Sequence, residues 1–124
     1  MTTQEQIKEL HARVETLRRC LDIDGKRADV AAKEAESQAP NFWDDPKAAE
    51  AFLKKLSSLK AWVVQFDKCA SLVDDLDVLY EFAEGEESAE LDEGYKSALQ
   101  AVEDLELKNM LGGYFFFELR ELIL

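Results

Sequence analysis

Few side chains in this sequence could do chemistry, and they stand apart from one another. The chain holds one histidine, His11, and two cysteines, Cys20 and Cys69, among 124 residues. A structural zinc site needs about four clustered nitrogen and sulfur ligands, and no second ligand of that kind lies close to any of the three in sequence, so they predict no metal site. Both cysteines are expected to be reduced, half-buried apolar fillers. His11 has no base, nucleophile or ligand near it in sequence and is expected on a helix surface without a catalytic role. The remaining candidates are Asp74, Asp75 and Asp77, a run that could be recruited to hold a metal. Adjacent acids on a helix point in different directions, and the run has neither the glycine turn of a calcium loop nor a histidine, so a solvated face is the expectation. No catalytic, cofactor-binding or metal residue is assigned on this reading, and no enzymatic activity is expected.

Charge carries more information than any of these groups. Residues 1–73 hold 12 acids and 12 bases, whereas residues 74–124 hold 15 acids and 3 bases, so the second part carries the whole net charge of -12. Phosphates are repelled by such a surface, which excludes duplex nucleic acid as a direct partner of that part. A hydrophobic fraction of 47% beside a charged fraction of 34% fits a folded, helix-rich chain and not a disordered one. The sequence contains no apolar run long enough to span a bilayer, and Met1-Thr2-Thr3-Gln4-Glu5 lacks the basic and apolar parts of a secretion signal, so a cytoplasmic address and no membrane contact are expected.

The groups above are placed by helices that can be read from spacing. Ile7, Leu10, Val14, Leu17 and Leu21 alternate in steps of three and four, the stripe of a helix from Thr3 to about Leu21. Thr3 with Gln6, or Thr2 with Glu5, has the spacing of a capping box at its start. Leu21-Asp22-Ile23-Asp24-Gly25 interrupts the pattern, since aspartate and glycine favour caps and turns over helix interiors. A second helix is expected from Gly25 to Gln38, capped by Asp24, with only Val30, Ala31, Ala35 and Ala39 as apolar stripe. Such a helix packs through small residues or lies partly exposed, and it depends on neighbours for stability.

Pro40-Asn41-Phe42-Trp43-Asp44-Asp45-Pro46 reads as a loop that starts the next helix, with Asp45 as N-cap and Pro46 at the first helical position. Phe42 and Trp43 are expected to bury over that helix start as a structural plug. From Pro46 to Glu84 no glycine or proline intervenes. Ala49, Phe52, Leu56, Leu59, Val63, Phe66, Ala70 and Val73 keep a coiled-coil-like alternation. Past Val73 the stripe shifts by about one residue to Leu76, Leu79 and Phe82 or Ala83, which predicts a change of packing partner along the helix. Roughly 58 Å is the span of such a helix, so an elongated molecule is expected. Gly85 suits a left-handed helix stop and Ser88 a new N-cap. Leu91, Tyr95, Ala98 or Leu99, Val102 and Leu105 mark a last helix that folds back antiparallel along the second half of the long one, and Gly112-Gly113 ends it. Tyr114–Leu124 is too densely apolar for an exposed tail and is expected to pack on the bundle or to join two copies of the chain.

Three stretches in this order carry a resemblance: Leu17-Arg18-Arg19-Cys20-Leu21-Asp22-Ile23-Asp24 before a basic helix, Pro40-Asn41-Phe42-Trp43-Asp44-Asp45-Pro46 before a long helix containing Ser57-Ser58-Leu59, and Leu107-Lys108-Asn109-Met110-Leu111-Gly112. Over residues 5–113 the sequence resembles the helical N-terminal domain of bacterial peptide chain release factors of the factor 2 type. The resemblance implies stop-codon-dependent translation termination, with the ribosome as partner through the stalk base of the large subunit. It also implies that codon reading and peptidyl-tRNA hydrolysis belong to Ser-Pro-Phe and Gly-Gly-Gln loops of later domains; neither motif occurs here. Members continue after the position of Gly113 through an acidic turn into a strand, and Tyr114–Leu124 has no such counterpart. The expected organisation is thus an all-α, elongated antiparallel bundle built on one long helix over residues 1–113, followed by an atypical apolar tail over residues 114–124. A self-associating coiled-coil adaptor is the competing reading of the same seams.

Overall fold

Thr3 opens the first helix, α1 (Gln4–Cys20), with a complete capping box: its hydroxyl accepts the Gln6 backbone N–H at 3.2 Å, and the Gln6 side chain accepts the Thr3 backbone N–H at 2.8 Å. Of the two boxes the spacing allowed, the Thr3–Gln6 pair forms. The computed structural model describes residues 1–112, so the expectations for Tyr114–Leu124, packing on the bundle or joining two copies, lie outside the described residues. Within them the chain forms four α-helices, α1, α2 (Ile23–Glu36), α3 (Pro46–Ala83) and α4 (Ala89–Leu111), with a short 3-10 turn at Phe42–Asp44. No helix among the described residues is long and apolar enough to cross a membrane.

The junction between α1 and α2 departs from expectation. The N-cap is Asp22 and not Asp24: Asp22 sits in the left-handed region at φ 48° and its side chain accepts the Gly25 N–H. Aspartate tolerates that region better than most side chains because its short polar arm bonds locally. A Cβ on Gly25 would stand 2.2 Å from the Asp22 carboxylate, so the cap needs a glycine there. Ile23, inside the supposed interruption, is completely buried and pins the junction to the core. The stripe assigned to α2 is not its packing face, since Ala31, Ala35 and Ala39 are exposed and Val30 is half-buried. This helix lies partly exposed and is held to α3 by longer side chains: Arg27 forks onto Asp67, Lys60 pairs with Glu34, and Lys33 lies 5.2 Å above the Phe52 ring.

α3 is the rod on which the rest is laid, 38 residues and so about 57 Å long. Its start is fixed by Asp45, whose side chain accepts the Ala48 N–H at 3.2 Å, and by Pro46 at the first turn. It stops where Glu84 and Gly85 both take positive φ. α1 runs antiparallel along its second half, where His11 meets Asp77, and α2 continues the same direction from the middle of α3, where Arg27 meets Asp67, into its first half, where Glu34 meets Lys60. α4, capped by Ser88, returns antiparallel along the second half, with Gly94 beside Leu76 and Leu79 and Lys108 bonded to Gln65. α1 and α4 are therefore parallel to each other, joined at Thr2–Asp92 and again at Arg13–Glu106. A three-helix bundle thus narrows into a two-helix arm made of α2 and the first half of α3.

One apolar cluster fills the bundle, formed by Ile7, Leu10, Val14, Leu17, Leu21, Ile23, Phe66, Cys69, Val73, Leu76, Leu91, Ala98, Val102 and Leu105. The change of partner predicted for α3 occurs, but near Trp62–Asp67 and not past Val73. Cys69, and not Ala70, is the deeper residue, so Phe66, Cys69, Val73 and Leu76 form an unbroken alternation and the shift falls about two turns earlier, after Phe66. Leu59 and Val63 lie on the arm side of that shift and are only half-buried. Cys20 corrects the expectation made for both cysteines: at the last turn of α1 it is exposed, whereas Cys69 is buried and its thiol is pushed up by that burial.

Candidate functional site

Part of the acidic excess is spent inside the molecule. Glu106 of α4 accepts a fork from Arg13 of α1, with Nε at 3.0 Å, and that hydrogen bond holds its carboxyl below the usual range. Asp92 accepts both the backbone N–H and the hydroxyl of Thr2, at 2.8 and 2.7 Å, and is lowered by them. Asp67 is lowered by the Arg27 fork. These carboxylates tie helix to helix, while Glu90, Glu93, Glu103 and Asp104 of α4 remain exposed as the solvated acidic face that the composition predicts.

His11 is where sequence and structure differ most. The residue is half-buried on α1, as a surface position requires, but it is not isolated. Its Nε2 lies 2.9 Å from Oδ2 of Asp77, and its Nδ1 lies 3.9 Å from Oδ1 of Asp74. Asp74 and Asp77 are one helical turn apart on α3 and so share a face, whereas Asp75 lies outside the group. The histidine that the aspartate run lacked in sequence is supplied by the antiparallel packing of α1 on α3. Local spacing could not have shown this, because the pair is separated by 66 residues. Among the described residues, His11, Asp74 and Asp77 are the groups that could hold a metal ion.

The far end of the arm carries a second surface. Phe42 packs edge-on against Trp43 and Phe52, each pair of ring centres 5.4 Å apart. Only Phe42 acts as the expected plug, and it is half-buried; Trp43 is 61% exposed. Trp43, Pro46 and Leu53, with Glu50, Lys54 and Ser57, line a shallow groove on the first three turns of α3. At the root of the arm a second tryptophan, Trp62, is bracketed by cations, with Lys108 of α4 at 4.7 Å and Lys26 of α2 at 6.0 Å from its ring centre. This locks the arm to the bundle where α4 ends. The arrangement places an apolar groove at one end of a long rod and acidic side chains at the other.

Comparison with known proteins meets this geometry on the arm and the α3–α4 hairpin. The PCRF domain family matches residues 26–114. Peptide chain release factor 2 of Streptomyces avermitilis is 36% identical over 113 residues, covering 88% of this chain and 31% of the relative. The same factor of Mycobacterium avium is 34% identical over 116 residues, covering 89% and 31%, and that of Salinispora tropica is 32% identical over 113 residues, covering 88% and 30%. The chain thus spans about three tenths of the length of these curated relatives. With most of its length matched, from the arm through the end of α4, the chain belongs to the PCRF domain family.

Proposed function

We propose that this chain is the helical, ribosome-contacting domain of a peptide chain release factor and serves translation termination. The observation that carries the reading is the family match over residues 26–114, together with similarity to peptide chain release factor 2 across 88% of the chain. On this reading the domain occupies residues 1–113, works in the cytoplasm without cofactor, and has no hydrolytic activity of its own, codon reading and peptide release belonging to other domains. Its partner is the ribosome, at the stalk base of the large subunit, reached by a rigid two-helix arm whose tip presents Trp43 and Leu53. An acidic bundle is compatible with that role because repulsion from RNA directs attachment away from α4.

Co-sedimentation with 70S ribosomes stalled at a UGA codon tests it. The expected result is saturable binding without release of the nascent peptide, weakened by Trp43→Ala and unaffected by changes on the exposed face of α4. Absence of binding at any concentration would overturn the ribosomal role. The adaptor reading has one observation in its favour: Val78 and Phe82, a helical turn apart on α3, are 51% and 81% exposed. Light scattering decides it, since an adaptor requires a dimer that Phe82→Ser dissolves.

A further inference from the structure

The geometry points to a binding site for one divalent transition-metal ion of the zinc class, formed by His11 of α1 with Asp74 and Asp77 of α3. One donor atom from each of the three lies within 4.8 Å of the others. Tetrahedral zinc takes nitrogen and oxygen ligands at about 2.0 to 2.2 Å, which sets donors roughly 3.5 Å apart. Closure therefore needs side-chain shifts of about an ångström, and the three side chains, 37%, 73% and 58% exposed, are free to make them. A plain hydrogen bond accounts for His11 and Asp77. The second carboxylate, Asp74, stands 3.9 Å from the other ring nitrogen, so joining Asp77 at a single imidazole nitrogen takes a rotation of the exposed Asp74 side chain.

Charge pairing elsewhere in the molecule sharpens the contrast. Asp67 and Glu106 each face an arginine, whereas the ion pairs of Asp74 and Asp77 among the described residues are with His11 alone. Two carboxylates beside an imidazole supply two negative charges and match a divalent cation. The imidazole nitrogen favours zinc-like ions over magnesium or calcium, which prefer all-oxygen shells. With three protein ligands the remaining position is left to water. The acidic excess of residues 74–124 raises the local concentration of cations around the site. Because the ligands come from two helices, occupancy would clamp α1 onto α3 and raise the stability of the bundle by mass action.

The test is a titration of the untagged chain with zinc chloride near neutral pH, followed by calorimetry and by the ring-proton resonances of His11. As the only histidine in the sequence, it reports occupancy in the unaltered protein. One equivalent is expected to bind, shifting the His11 resonances and raising the melting temperature. His11→Ala and Asp77→Asn should each weaken binding about tenfold or more, while Asp75→Asn, and Cys20→Ser at the exposed thiol, leave it unchanged. Millimolar magnesium should not displace the zinc. Unmoved His11 resonances, uptake that survives both ligand substitutions, or uptake lost with Cys20→Ser would overturn the site. The resonance measurement decides the matter even if His11→Ala unfolds the bundle.

Discussion

Leu76 and Leu59 lie on the same helix with the same side chain, yet they should respond very differently to truncation. Leu76 is 0% exposed within the bundle, so Leu76→Ala should cost about 2 to 5 kcal/mol. Leu59 is half-buried on the arm, and its loss should cost about 1 to 2 kcal/mol. Urea denaturation of the two variants checks the ranking, and equal losses would refute the placement of the partner change. The depressed carboxyls of Glu106 and Asp67 set a second expectation. A carboxyl lowered in the folded state contributes stability that is complete above its unfolded value of about 4 and disappears as pH falls through the folded value. Melting temperature should therefore drop as pH falls below about 4, and Glu106→Gln should flatten part of that drop while lowering stability near neutral pH. At this scale the sequence was legible where partners are local, as with the Thr3–Gln6 box and the Asp45 cap. His11 with Asp74 and Asp77, Arg13 with Glu106 and Thr2 with Asp92 join distant parts of the chain, and no local spacing marks them.

Helices were easier to read than their faces. The stops and starts at Pro46, Gly85 and Ser88 follow from backbone chemistry that each residue carries by itself, so α3 and α4 begin and end close to where the sequence places them. The packing stripe of α3 was harder, because Cys69 and Ala70 are both small and apolar and only the neighbouring helices decide which turns inward. Gly94 is a signal that spacing analysis passes over: a glycine within a helix costs about 1 kcal/mol relative to alanine, which usually marks a close approach. A Cβ there would stand 3.0 Å from Leu79 and 3.3 Å from Leu76. Gly94→Leu should accordingly destabilise the α3–α4 hairpin by about 1 to 3 kcal/mol, readable as a lower urea midpoint. The pairing of α2 with α3 through ion pairs and lysine–aromatic contacts, in place of a continuous apolar seam, predicts different protection along the rod. Hydrogen exchange should be faster in residues 23–36 than in residues 4–20, and the gap should widen in high salt, which screens exposed charges.

Taken as a whole, the molecule is a stiff lever: a three-helix bundle anchors one end of α3 and a two-helix arm extends the other. The acidic half, read from composition, is the bundle, and the aromatic tip is at the arm's far end, so the two chemistries lie at opposite ends of about 57 Å of continuous helix. On the proposed reading, that separation lets the tip dock while the charged flank stays clear of RNA phosphates. Elongation and the single long helix were legible in the sequence; the narrowing from three helices to two was not, because it depends on α1 and α2 sharing one side of α3. Competition in a termination reaction tests the ribosomal role most directly. Ribosomes programmed with UGA and a limiting amount of a full-length factor 2 are mixed with increasing amounts of this chain, and the rate of peptide release is followed. A saturable fall in rate, relieved by Trp43→Ala, is the predicted result; a rate that stays constant at every concentration, or peptide release by the chain alone, would contradict it.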